Sequence, residues 1–170
     1  MRAAIVGCAL VAFAGVVVAQ PDSYSSDKGG YSIKFPGVPK VTEQTAKTAV
    51  GELKVIAAIY ANADGSVFMV SYTDFPDAAT KVENHATLLD GIRDGVKGRD
   101  GKLVGDEKSG KFGPDKLPGR EFTVDKGKQR IKFRVVLRDR RVYQLAAIGT
   151  ADFATGKDAA AFIESFELSK

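Results

Sequence analysis

The stretch "QRIKFRVVLRDRRVYQLAAIG", residues 129–149, constrains this chain more than any other. Ile131, Phe133, Val135 and Leu137 alternate with Arg130, Lys132, Arg134 and Arg138. A period of two sends successive side chains to opposite faces of a strand, so this pattern cannot be satisfied by a helix. With Asp139 and Arg140 as the loop of a hairpin, Val142, Gln144, Ala146 and Ile148 fall on the apolar face. Tyr143 and Leu145 then lie beside the basic ladder. The fold must therefore contain an antiparallel sheet.

The rest of the chain supplies more of the same sheet and two helices to lie on it. In "GGYSIKFPGVPK" Tyr31, Ile33 and Phe35 share one face, and Pro36 and Pro39 cannot donate to a ladder, so an edge strand is predicted to end at Phe35. In "ELKVIAAIYANADGSVFMVSYTDF" Asp64-Gly65 signals a hairpin; a two-residue loop predicts Ile59 opposite Val70, Ala57 opposite Tyr72 and Ala61 opposite Phe68. The period then changes. Leu88, Leu89, Ile92 and Val96 make an apolar helical stripe with Asp90, Arg93, Asp94 and Lys97 opposite. Gly91 and Gly95 weaken that helix by about 1 kcal/mol each and are read as a smooth patch for close approach. Short strands are expected at 102–107 and 120–124 within a Gly- and Lys-rich connection. Thr155 and Asp158 have capping-box spacing ahead of a closing helix that presents Ala159, Phe162, Ile163 and Phe166. Hairpins and helices that segregate in this way predict an α+β fold, an antiparallel sheet flanked by helices, and not alternating βαβ units.

The N-terminus "MRAAIVGCALVAFAGVVVAQ" places one basic residue before an uncharged apolar run from Ala3 to Val18 and a small-residue site at Val17 and Ala19. It reads as a secretory signal peptide over residues 1–19, with an uncleaved anchor ranked second because the run is short and holds Gly7 and Gly15. Residues 20–30 then form a polar, flexible leader and 31–170 one domain. Export to the periplasm, cell envelope or exterior follows, with no transmembrane span in the mature chain. Cleavage also removes Cys8, the only cysteine, so no disulfide or thiol chemistry is expected and core burial must hold the domain together. The net charge of +4, from 25 basic and 21 acidic residues interspersed, is too small to point to nucleic acid.

The segments "YSIKFPGVP", "LLDGIRDG", "LPGREFTV", "RVYQLAAIG" and "DAAAFIESFEL" together resemble a group of uncharacterised exported bacterial proteins similar in layout to the PsbP-like superfamily. That superfamily includes the extrinsic photosystem II protein and a yeast nuclear-import factor that binds a small GTPase. The resemblance spans nearly all of the mature chain in layout, and its motifs are structural. It implies an α/β/α sandwich, a non-enzymatic binding or accessory role, and no catalytic residues to carry over. Nothing corresponds to the photosystem protein's own N-terminal binding region.

Chemistry in the sequence is sparse. "GDEKSGK", Gly105 to Lys111, matches the first seven positions of a phosphate-binding loop, but Phe112 stands where Ser or Thr should meet Mg²⁺. The segment is read as a solvated loop. His85 is the only histidine and begins the helical stripe, a packing or helix-start position. Asp90 and Asp94 lie i,i+4 among Arg93 and Lys97, the composition of an exposed helix face, and no Ca²⁺ loop of twelve residues is present. No metal, cofactor or catalytic group is expected. The sharpest candidate is a binding face of Arg130, Lys132, Arg134, Arg138 and Tyr143, suited to a protein partner or an anionic surface; the alternative is an ordinary solvated sheet face with arginine stems over apolar surface. Two functions follow: a monomeric, non-enzymatic accessory protein, or a carrier holding a small ligand between helix and sheet. An exposed apolar patch beside the ladder favours the first, a cavity under the middle helix the second.

Overall fold

The alternating segments pair into one eight-stranded antiparallel sheet. The computed structural model describes residues 23–48 and 50–169; the signal peptide expected over residues 1–19 and the start of the expected leader lie outside these. In chain order the elements are β1 (Tyr24–Ser26), β2 (Tyr31–Ile33), β3 (Lys40–Thr48), β4 (Gly51–Ala61), β5 (Val67–Asp74), α1 (His85–Lys97), β6 (Lys102–Leu103), β7 (Lys108–Phe112), β8 (Leu117–Lys126), β9 (Gln129–Arg138), β10 (Arg141–Gly149), α2 (Ala151–Thr155), α3 (Lys157–Glu164) and β11 (Glu167–Leu168). The main sheet runs β3-β4-β5-β10-β9-β8-β6, with β7 also paired to β8. A small antiparallel sheet, β1-β2-β11, lies apart from it.

Both faces of the main sheet are covered. On one, Phe122, Val124, Phe133, Val135, Leu137, Val142 and Ala146 pack against Leu89, with Leu88, Ile92 and Val96 of α1 around them. On the other, Phe68, Val70, Tyr72, Val136, Tyr143 and Leu145 meet Ala159, Phe162 and Ile163 of α3, Phe166 beyond it, and Tyr31 and Ile33 of the small sheet. The result is an α+β sandwich of three layers. Ile33, Val70, Leu145 and Ile163 are fully buried, and each such side chain contributes about 1.5–3 kcal/mol.

The last hairpin has the predicted register: Leu137 faces Val142, Val135 faces Gln144 and Phe133 faces Ala146, with Asp139 at positive φ in the loop. The earlier hairpin differs by one residue. Ile59 faces Met69, Ala58 faces Val70 and Tyr60 faces Phe68, because Asn62 and Ser66 close a three-residue loop in which Gly65 alone takes positive φ. Asp64 accepts hydrogen bonds from the Ser66 amide and hydroxyl, which holds this longer turn. A one-residue slip exchanges the faces, so Ala58 and Val70 enter the core beneath α3 while Met69 turns toward the side of α1.

Three further expectations are corrected. The strand at Tyr31 is not an edge of the main sheet but the centre of the small one, where it pairs with both β1 and β11. Of Gly105 to Lys111, read as a solvated loop, residues 108–111 belong to β7, since β8 extends back to Leu117 and offers that segment a partner. Thr155 caps nothing; its hydroxyl donates to the Ala151 carbonyl within α2, while Thr150 accepts from the Phe153 amide as the N-cap of α2, and α3 begins after Gly156. Of the stretch read as a leader, Tyr24–Ser26 forms β1.

Candidate functional site

The five residues of the predicted binding face are divided among different environments. Register sets Glu121 of β8 opposite Arg134 and Asp125 opposite Arg130, a cross-strand arrangement that favours ion pairing. Arg134 donates to Glu121 through Nε at 2.7 Å with Nη2 2.5 Å from the same carboxylate oxygen, reaches the Ile163 carbonyl at 3.2 Å and lies over the Phe112 ring. Lys132 stands 4.0 Å from Glu121, and Arg130 is 2.5 Å from Asp125. The hydrogen bond from Arg130 holds the Asp125 carboxyl below its ordinary pKa. Tyr143 is buried, and its hydroxyl donates to the Gly29 carbonyl at 2.8 Å. Arg138 is exposed at the end of β9.

Arg141, at the same end, ties three parts of the chain together. It forms a two-pronged pair with Asp74 at 2.6 and 2.7 Å, donates to the Lys28 carbonyl at 2.8 Å and lies over the Tyr72 ring. The guanidinium holds the Asp74 carboxyl below its ordinary pKa by hydrogen bonding first and charge second, while burial pushes the Tyr31 and Tyr143 hydroxyls upward. Arg140 pairs with Asp77 at 2.9 Å. Across the sheet, Asp90 and Glu107 are shared between Arg93 and Arg120, which fastens α1 to β8. His85 donates from Nε2 to the Thr80 carbonyl at 2.9 Å and so closes the turn before α1. Among the described residues no cluster of three or more His, Cys, Asp or Glu is arranged to hold a metal ion.

A different feature is concave and chemically uniform. Strand β4 pairs with β5 only from Ile56 to Ala61, so Gly51–Val55 pairs with β3 alone and the two form a projecting ribbon. Between this ribbon and α1 runs an open cleft. Its outer part, about 500 Å³, is bounded by Val50, Phe75, Leu88, Gly91 and Ile92. Its inner part, about 310 Å³, is bounded by Leu53, Val55, Thr73, Ile92, Val96 and Gln144. Phe75 and Ile92 line both parts. None of the described residues lining either part is charged, in a chain of which 27% of residues are. The expected role of Gly91 and Gly95 as a close-packing patch is corrected here: a Cβ at either would meet nothing within 4 Å, and both border the cleft.

The three-layer arrangement has a counterpart among solved structures. The chain is similar to the solution structure of cyanobacterial PsbP from Synechocystis sp. PCC 6803, at 16% identity and a TM-score of 0.54 over 94% of this chain and 98% of that one. The fold is PsbP-like. No protein-family model matches the chain, and none of the curated proteins does. Among the described residues no helix is long and apolar enough to cross a membrane.

Sequence reasoning found the α1 side of the cleft and missed the ribbon. The length of β3 and β4 was the available signal, since a strand longer than its neighbour must overhang it. Alternation in "LPGREFTVDK", with Glu121 and Asp125 on one face and Phe122 and Val124 on the other, was likewise the signal for the acids that neutralise the ladder.

Proposed function

We propose that this chain is an exported, non-enzymatic binding domain that carries a small apolar ligand in the cleft between α1 and the β3–β4 ribbon. The observation that carries the reading is the uncharged lining of that cleft. Apolar concavities of roughly 300–1,000 Å³ with a few polar groups are the usual form of small-ligand sites. The cleft is open along its length, which suits uptake and release, whereas a sealed cavity would trap its contents. Val50, 43% exposed at the ribbon tip, gives the rim an apolar edge. Titration of the protein with the neutral fluorophore N-phenyl-1-naphthylamine tests this. Saturable binding is expected, and Gly91→Phe, which fills the outer cleft from an open helix position, abolishes it without lowering the melting temperature. Absence of saturable binding to the wild type sinks the carrier reading.

A second reading keeps the accessory role, with a protein partner or anionic surface bound at the basic face. Arg138, exposed at the end of the ladder and beside the exposed Arg140, favours it; Arg130, Lys132, Arg134 and Tyr143 would brace the sheet behind it. If Arg138→Glu leaves co-recovery of every envelope partner unchanged, this reading is wrong.

A further inference from the structure

The inner end of the cleft holds a polar group that the fold itself leaves unused. Thr73 is 2% exposed, lines the cleft, and its Oγ1 has no hydrogen-bond partner. Buried hydroxyls are almost always paired, because an unpaired one forfeits its hydration without compensation. Gln144 lines the same end. Thr73 pairs with Val142 and Ser71 with Gln144 on the adjacent strand, so Thr73 and Gln144 are diagonal neighbours on one face. A hydroxyl and an amide each donate and accept, so together they can satisfy another hydroxyl or amide. They cannot neutralise a carboxylate or an ammonium, and among the described residues lining the cleft no charge is at hand to do so; burying an unpaired charge there would be strongly unfavourable.

Resting on the carrier reading, we infer that the ligand is a neutral amphiphile, a hydrocarbon chain ending in one uncharged hydroxyl or amide that pairs with Thr73 and Gln144. The chain lies outward along Phe75, Leu88 and Ile92 toward Val50. Seating the head supplies the partner that Thr73 lacks. The ribbon of β3 and β4, unsupported by β5 over Gly51–Val55, is the element free to move aside for it.

Displacement of N-phenyl-1-naphthylamine by decan-1-ol and by decanoate at pH 7, using protein recovered from the producing cell, tests the inference. Decan-1-ol is expected to displace the dye at a concentration at least about tenfold lower than decanoate. Thr73→Val is expected to weaken decan-1-ol relative to the dye by about five- to tenfold, the worth of one buried hydrogen bond that the dye does not make. Its melting temperature stays the same or rises, since the unpaired hydroxyl is gone, so weakened binding cannot be ascribed to unfolding. Equal displacement by alcohol and carboxylate, or an unchanged decan-1-ol affinity in Thr73→Val, overturns the inference while the carrier reading stands. Failure of the wild type to bind the dye removes both.

Discussion

Glu121→Ala tests whether the basic ladder is held by the fold or by solvent. Glu121 is 8% exposed and accepts a hydrogen bond from Nε of Arg134 within a close ion pair; the Arg134 side chain is 16% exposed. Removing one partner of a fully buried ion pair costs about 3–5 kcal/mol, because the other charge is left without compensation. Here Arg134 keeps a sliver of hydration, the Ile163 carbonyl and the Phe112 ring, which brings the expected loss to about 2–3 kcal/mol. For a domain of this size that is about 5–10 °C in melting temperature. Urea denaturation of the wild type, Glu121→Ala, Arg134→Ala and the double mutant closes a cycle. The double mutant should lose much less than the two singles summed, since neither charge is then stranded. Replacing both by Met should leave the protein close to wild type, as buried pairs exchanged for apolar side chains often do. A loss below about 0.5 kcal/mol for Glu121→Ala would place it among ordinary surface changes and refute the claim that register and burial lock the ladder.

Tyr143→Phe removes the hydrogen bond to the Gly29 carbonyl; a loss of about 1–2 kcal/mol and faster proteolysis near Lys28 are expected, and unchanged cleavage would show that Arg141 alone fastens that turn. Asp74 has a folded-state pKa below its unfolded value, so its pairing stabilises above about pH 4 and that contribution is lost as pH falls through the lowered value. Acid unfolding of Asp74→Asn should therefore show a shallower decline below pH 4 than the wild type, measured by circular dichroism. Gly119→Ala should cost about 1–3 kcal/mol, because its Cβ would stand 2.3 Å from the Val135 carbonyl oxygen, whereas Gly91→Ala, facing open space, should add up to about 1 kcal/mol. Thermal melts of the two variants should shift in opposite directions.

Local pattern carried most of the architecture. Alternation of Ile131, Phe133, Val135 and Leu137 with basic residues specified β9 and its face turned to α1, and the short Asp139-Arg140 turn set the register of β10, whose Tyr143 and Leu145 enter the opposite core. The helical stripe Leu88, Leu89, Ile92 and Val96 specified the face of α1 that meets them. The first hairpin was less legible because Asp64-Gly65 suits loops of two or three residues, and Asn62 and Ser66, which decide between them, act through bonds across the turn. The candidate site was legible only in parts. Basic residues in alternation announce a basic face, but Glu121, which meets Arg134, lies thirteen positions away along the sequence, outside a local window, and only Asp125, five positions from Arg130, falls within one.

Sequence pattern alone therefore yielded the two long hairpins, α1 and the closing helix, their antiparallel pairing and the separation of apolar from polar positions, all of which follow from side-chain period and turn chemistry within a few residues, while β1, β3, β7 and β11 emerged only from packing. The tertiary structure decided what lies above each face. It set Phe162 and Ile163 over strands that their own sequence does not mention, neutralised Arg130 and Arg134 with acids from β8, and left the ribbon of β3 and β4 overhanging an uncharged cleft beside α1. The physical reason is that burial and ion pairing depend on distances between segments far apart in the chain, and those distances exist only once the layers have packed.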